Sequence, residues 1–358
     1  MKKERIQALD SFRGIAILMV LFFHFFSRWT SLYPYEDKYD YFRYGKFGVH
    51  FFFMISGFVI FYTMDNTDTF KKFWMNRYVR LLPSMFFASI FTYFFFVFFD
   101  TQLLFPNSHY YKNILVSLTF IQPDLFSSLV NYKINFDYIS GSYWSLWVEI
   151  QFYLFASLIY FIFPKKFQLY FFLTAIIILC LNYSLSNIYK NSDLIFKIES
   201  LRTIFNLIHA LPLFCIGSVF YILYKNNKNS GTNPFFLKVS FVFFLFTLLI
   251  DNKEDLLLIV IMLFFILLFF LMIYYPRSIT FLNNRFLNII GVSSYFLYLI
   301  HENLGVFLIH LDLLKLSSLY FIQPLIIILL IILLSVLFTR YIEKHIIHFL
   351  KKLVIKNR

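Results

Sequence analysis

Long apolar runs alternate with short polar segments along almost the whole chain. Runs long enough to cross a bilayer fall at roughly 12–28, 47–64, 82–99, 143–163, 168–186, 203–224, 235–251, 255–275, 287–311 and 318–341. They predict about ten transmembrane helices and an all-α fold, a polytopic membrane helical bundle. The longest connection, 100–142, contains an apolar piece at 114–121 that is too short for a comfortable span. It predicts a re-entrant or interfacial segment. The stretch 225–233, rich in Lys, Asn, Ser and Gly, reads as a plain linker. No internal repeat is visible.

Composition agrees with this pattern. The chain of 358 residues is 60% apolar and 23% aromatic. Its mean hydropathy is +0.71. Only 14% of it is charged, against about 25% in soluble domains. The net charge of +13 would suit a nucleic-acid binder, but its distribution follows membrane topology instead. With the N-terminus inside, 20 of the 32 Lys and Arg residues fall in cytoplasmic segments and 11 outside, with Arg13 in a span. That bias fits the positive-inside rule with both termini cytoplasmic, and no nucleic-acid partner is expected. The N-terminus resembles a signal peptide, but it lacks a small-x-small cleavage site and Arg13 interrupts its apolar run. An uncleaved first span is expected. Cys180 and Cys215 lie in apolar runs with no disulfide or metal spacing. No HExxH, P-loop or CxxC occurs, and no metal is expected.

Charged or titratable side chains at membrane depth are costly, and they are usually functional. Arg13 and His24 both fall in the first apolar run. Eleven residues is about three helical turns, so they share one face about 16 Å apart. His24 is the candidate general base, since a neutral imidazole can accept a hydroxyl proton near neutral pH. The alternative is a histidine hydrogen-bonded within the bundle. The topology puts Glu149 of span four and His301 of span nine at a depth similar to His24, which predicts convergence. Glu149 would orient or charge-stabilise His24; otherwise it is a structural ion pair or a protonated carboxyl. Tyr295, Tyr298 and His301 recur every three residues and line one helix flank, where aromatic residues also serve simply as packing. Arg77 and Arg80, spaced by three before span three, suit phosphate binding. Anionic-lipid contact is the default for such a pair. His50, His209 and His310 are weaker candidates.

These segments together resemble the acyltransferase 3 family of integral membrane acyltransferases. Arg13 and His24, with ten residues between, look like its Arg-x10-His signature, and residues 10–14 (Asp-Ser-Phe-Arg-Gly) resemble the usual lead-in. Residues 48–58 resemble the second-helix motif, and 73–83 the arginine motif before the third helix. Residues 145–153 (Ser-Leu-Trp-Val-Glu-Ile-Gln-Phe-Tyr) and 294–301 resemble its Ser-Leu-x-x-Glu-x-x-Phe-Tyr and Tyr-x-x-Tyr-Leu-x-His motifs. His50 is an unusual polar choice within its motif.

The resemblance implies a membrane domain over 1–345, a basic cytoplasmic tail at 346–358, and no SGNH-like domain. It also implies a multi-pass protein of the bacterial inner membrane that moves an acyl group, acetyl by preference, from cytoplasmic acyl-CoA to a hydroxyl on the outer side. The acceptor would be a surface polysaccharide, lipopolysaccharide or lipid-linked glycan. Partners are thus acyl-CoA, the glycan and membrane lipid, with no bound cofactor. His24, Glu149 and His301 would be catalytic, Arg13, Arg77 and Arg80 would hold the acyl-CoA phosphates, and Tyr295, Tyr298 and Trp144 would bind substrate. Two other classes remain open: a polysaccharide or small-solute transporter, and a lipid-linked glycan glycosyltransferase or polymerase.

Overall fold

A computed structural model of the chain describes residues 6–188, 202–228, 234–252, 255–312 and 320–356. Among these no strand occurs. Nine helical stretches are long and apolar enough to cross a membrane. The chain divides into two compact units, one of Met1–Val49, Met75–Ser145 and Thr280–Arg358, the other of His50–Trp74 and Leu146–Ile279.

The first unit holds α1 (Gln7–Phe26), most of α3 (Phe70–Phe99), and the short α4 (Tyr111–Thr119) and α5 (Pro123–Leu129). It ends with α11 (Arg285–His310), α12 (Ile322–Phe338) and α13 (Lys344–Lys356). The apolar piece at 114–121 is largely the nine-residue α4, far shorter than a span. α3 begins well before the expected 82, running for 30 residues straight through Pro83. A mid-helix proline forfeits one backbone bond, yet the helix continues. Arg77 and Arg80 are therefore inside α3 rather than ahead of a span. The described part of the segment expected as a basic tail, to Lys356, is helical, and α12 passes into it through one π-helical turn, Thr339–Glu343.

α1 and α11 are packed backbone to backbone. A Cβ added at Gly291 would lie 1.7 Å from the Asp10 carbonyl oxygen, and one at Gly14 would lie 2.5 Å from that of Leu287. Small residues at a helix crossing permit this approach. Ser11 Oγ adds hydrogen bonds to Asn288 Oδ1 at 3.0 Å and Asn283 Oδ1 at 3.3 Å. α1 ends where the amides of Ser27 and Arg28 both donate to the Phe23 carbonyl. Beyond it, the hydroxyls of Tyr33 and Tyr35 donate to the carbonyls of His24 and Phe25. Burial pushes both phenols above their usual range, so they remain donors.

The second unit holds most of α2 (Gly48–Asp65) and α6 (Trp144–Ile162), with α7 (Phe167–Ile188), α8 (Leu207–Lys228), α9 (Pro234–Asp251) and α10 (Leu256–Tyr274). α9 coincides with the apolar run at 235–251. Its 18 residues make it about 27 Å long. α2 and α8 cross at Gly57 and Gly217, where added Cβ atoms would meet Phe214 and Met54 carbonyl oxygens at 2.1 and 1.9 Å. Stacked phenylalanines fill the interior, Phe51 on Phe265 at 4.2 Å and Phe152 on Phe214 at 4.1 Å.

Candidate active site

The α1–α11 crossing brings together residues far apart in the chain. His24, in the last turn of α1, meets the imidazole of His301 edge-to-face, with ring centroids 4.9 Å apart. Its Nδ1 lies 3.5 Å from Glu302 Oε1, an ion-pair distance longer than a good hydrogen bond. His301 is fully buried. Its Nδ1 lies 2.7 Å from the Tyr298 carbonyl. A carbonyl only accepts, so Nδ1 carries the proton and Nε2 keeps a lone pair.

Three atoms here, His24 Nδ1, His301 Nε2 and Glu302 Oε2, are buried without a hydrogen-bond partner. An unsatisfied buried polar group costs about 1–3 kcal/mol. Three on facing side chains mark a place where binding a polar molecule repays that cost.

The connection between α3 and α6 supports this centre. Gly141 lets the backbone close on Glu302: an added Cβ would lie 3.0 Å from Oε2. The Tyr298 hydroxyl donates to the Ser142 carbonyl at 3.0 Å and shares a 2.8 Å bond with Ser145 Oγ. Asn303 Nδ2 donates to Ser108 Oγ at 2.9 Å, and Ser108 Oγ donates to the Ile139 carbonyl at 2.7 Å. Asp100, just past the end of α3, accepts from the amides of Leu104 and Phe105 and sits 3.2 Å from His109 Nε2. Burial would raise its carboxyl, but these partners outweigh that and hold it below the usual range. Arg28, stacked over Trp29 at 5.5 Å, supplies counter-charge to Glu302.

The other expected site residues have these surroundings. Glu149 belongs to the second unit, where the Ser56 and Tyr153 hydroxyls donate to its Oε1. Arg13 pairs with Asp10 at 3.3 Å. Arg77 is buried whereas Arg80 is exposed. Three residues fall about 60° short of a full helical turn, enough to carry one guanidinium inside and leave the other out. Tyr298 is buried beside His301, while Tyr295 donates to the Leu81 carbonyl at 3.3 Å. Trp144 is 45% exposed on the first turn of α6.

Sequence reasoning missed Glu302. The signal was present: a carboxylate inside an apolar run, four residues after Tyr298 and directly after His301. It also missed Ser142, Asn303 and Gly141, whose types and spacing point to no chemistry.

A family model described as Acyltransferase domain matches residues 6–340. A curated relative, named "Putative peptidoglycan O-acetyltransferase YrhL", of Bacillus subtilis (strain 168), is 29% identical over 161 residues. The match covers 42% of this chain and 23% of that relative, less than a quarter of its length. No solved structure matches the chain.

Proposed function

The chain belongs to the acyltransferase 3 family, and from that premise we propose that it is a membrane O-acyltransferase. It moves an acyl group, acetyl in the simplest case, from acyl-CoA to a hydroxyl of a surface polysaccharide or lipid-linked glycan. We place it in a bacterial inner membrane with donor and acceptor on opposite faces. The glycan-modifying name of the relative supports this acceptor class.

One observation carries the mechanism: the His24 imidazole stands with Nδ1 toward the Glu302 carboxylate and its edge against His301. In the reacting complex the carboxylate closes from 3.5 Å to hydrogen-bond distance of Nδ1, holds the proton there and leaves Nε2 as the base, the logic of carboxylate-oriented histidines generally. His24 Nε2 takes the proton of the acceptor hydroxyl as its oxygen forms a bond to the thioester carbon. The tetrahedral intermediate then breaks its C–S bond. The CoA sulfur leaves, taking the proton from the imidazolium, and the ester remains on the acceptor. Glu302 stabilises the imidazolium between the two steps. Neutral His301, with its proton tied to the Tyr298 carbonyl, accepts rather than donates and so positions the acceptor through a second hydroxyl, next to the one that reacts. Arg13, Arg77 and Arg80 are assigned to the donor's phosphates, as charge-assisted forks. Glu149 is assigned a supporting role through its own hydrogen bonds, and Tyr295 and Trp144 contact substrate. Acyl-CoA is a substrate here, and no resident cofactor is invoked.

The test is the O-acetyl content of surface glycan in a strain lacking the protein and complemented with wild type or His24→Ala. Wild type should restore acetylation and the alanine variant should not. Full restoration by His24→Ala, at equal membrane abundance, removes His24 from the reaction.

A further inference from the structure

The end of the first unit remote from His24 holds a cavity of about 520 Å³, within the range of about 300–1,000 Å³ usual for ligand pockets. Gln7 and Asp10 of α1, Asn288 and Arg285 of α11, and Thr339, Arg340 and Lys344 beyond α12 line it. Asp10 and His24 are fourteen residues apart on one helix, about 21 Å along the axis, so this cavity is distinct from the His24 centre.

We propose that this cavity is a binding site for the phosphate headgroup of an anionic phospholipid. Four observations converge. First, the charge: Arg285, Arg340 and Lys344 line it, and its carboxylate, Asp10, is already paired with Arg13. Among the described residues, these three lining cations and Arg13 against the one carboxylate leave a local charge of +3. Among the described residues no carboxylate forms a salt bridge with Arg285, Arg340 or Lys344. Glu343, next in sequence to Lys344, is turned away to accept from Ser84 Oγ at 2.7 Å.

Second, Thr339 lines the cavity; it is 6% exposed, and its Oγ1 is buried with no partner, a donor awaiting an acceptor. Third, the backbone changes here to a π turn, Thr339–Glu343, a form that recurs at functional sites. Fourth, the surroundings suit a lipid rather than a free anion. Ile289 and Val336 line the cavity, and Phe286, Leu333 and Leu337 stand exposed on the same two helices. Basic pockets between transmembrane helices with an apolar approach are how proteins hold anionic headgroups. The phosphate sits among the cations and the acyl chains run along the exposed side chains.

The full-length protein, purified in a neutral detergent, is titrated with dioleoylphosphatidylglycerol and, separately, with dioleoylphosphatidylcholine, and bound lipid is counted by native mass spectrometry. Wild type should bind the anionic lipid more tightly. Each lost cation should weaken that binding about 5-fold, and Arg340→Gln with Lys344→Gln together about 30-fold. Thr339→Val should weaken it without changing charge. Lys351→Gln with Lys352→Gln, on the exposed side of α13, should leave it unchanged. Equal binding of both lipids by wild type overturns the site. So does undiminished preference in the Arg340/Lys344 variant. Displacement of the anionic lipid by CoA, with CoA binding lost in that same variant, assigns the cavity to a soluble phosphate ester and overturns the lipid assignment.

Discussion

Replacing Glu302 by glutamine tests the arrangement at its centre. The amide keeps the shape of the side chain against Gly141, removes its charge and turns one acceptor oxygen into a donor. Glu302 and His24 are 6% and 12% exposed and 3.5 Å apart, so water screens them poorly. With an effective dielectric of about 20, opposite unit charges at that distance attract by about 5 kcal/mol. That is an upper bound on what Glu302 gives the imidazolium, because Arg28 opposes part of the carboxylate's field and the amide retains a dipole. A loss of about 3–4 kcal/mol in transition-state stabilisation lowers the rate about 10²–10³-fold. The assay is acetyl transfer from labelled acetyl-CoA to an acceptor glycan by purified protein in nanodiscs, with donor and acceptor saturating. Glu302→Gln should show this loss in kcat while its thermal unfolding stays near wild type. Glu149→Gln, measured in parallel, should lose less, because the Ser56 and Tyr153 hydroxyls already engage Glu149. Activity of Glu302→Gln within about threefold of wild type, or a larger loss in Glu149→Gln, would refute the pairing.

Other expectations follow from the same packing. Gly291→Ala should cost at least the about 1–3 kcal/mol typical of overpacking, since its Cβ would sit 1.7 Å from the Asp10 carbonyl oxygen. It should lower activity as well, by moving α11 off α1, both read by unfolding temperature and transfer assay. Tyr298→Phe removes one partner each from the Ser142 carbonyl and Ser145 Oγ, which keep their mutual 3.4 Å bond, and should cost about 1 kcal/mol, seen as a lower unfolding temperature in detergent. His301 keeps its orientation there because its bond is to backbone. Asp100→Asn should lower the unfolding temperature at neutral pH. Asp100 has a depressed carboxyl, so its stabilisation is fully present above the unfolded value of about 3.9. It fades as pH falls through the lower folded value, so the gap between wild type and variant should narrow below about pH 4. A gap that widens on acidification contradicts the assignment.

The helices were legible because bilayer-length apolar runs leave little choice of structure. Their limits were less so: α3 runs through Pro83, which local propensity marks as a boundary. His24 and His301 could be found because titratable groups in apolar runs are conspicuous. Sequence reading put Glu149 beside His24 and passed over Glu302, although both lie inside spans, because sequence assigns no distance to either. Arg77 and Arg80 are one motif in sequence and two environments in space.

What decides the partner is the α1–α11 crossing, and two glycines set its register. Successive residues on a helix point about 100° apart, so adjacent side chains on α11 do not normally serve one neighbour. His301 and Glu302 do so because they straddle the line along which α1 packs. The ring of His24 stands in the gap, one edge against His301 and Nδ1 toward Glu302. A shift of one residue in that register would replace one of the two by Ile300 or Asn303 and leave the imidazole without either its carboxylate or its histidine neighbour. The close approach at Gly14 and Gly291 is thus a condition of the proposed chemistry as much as of the packing.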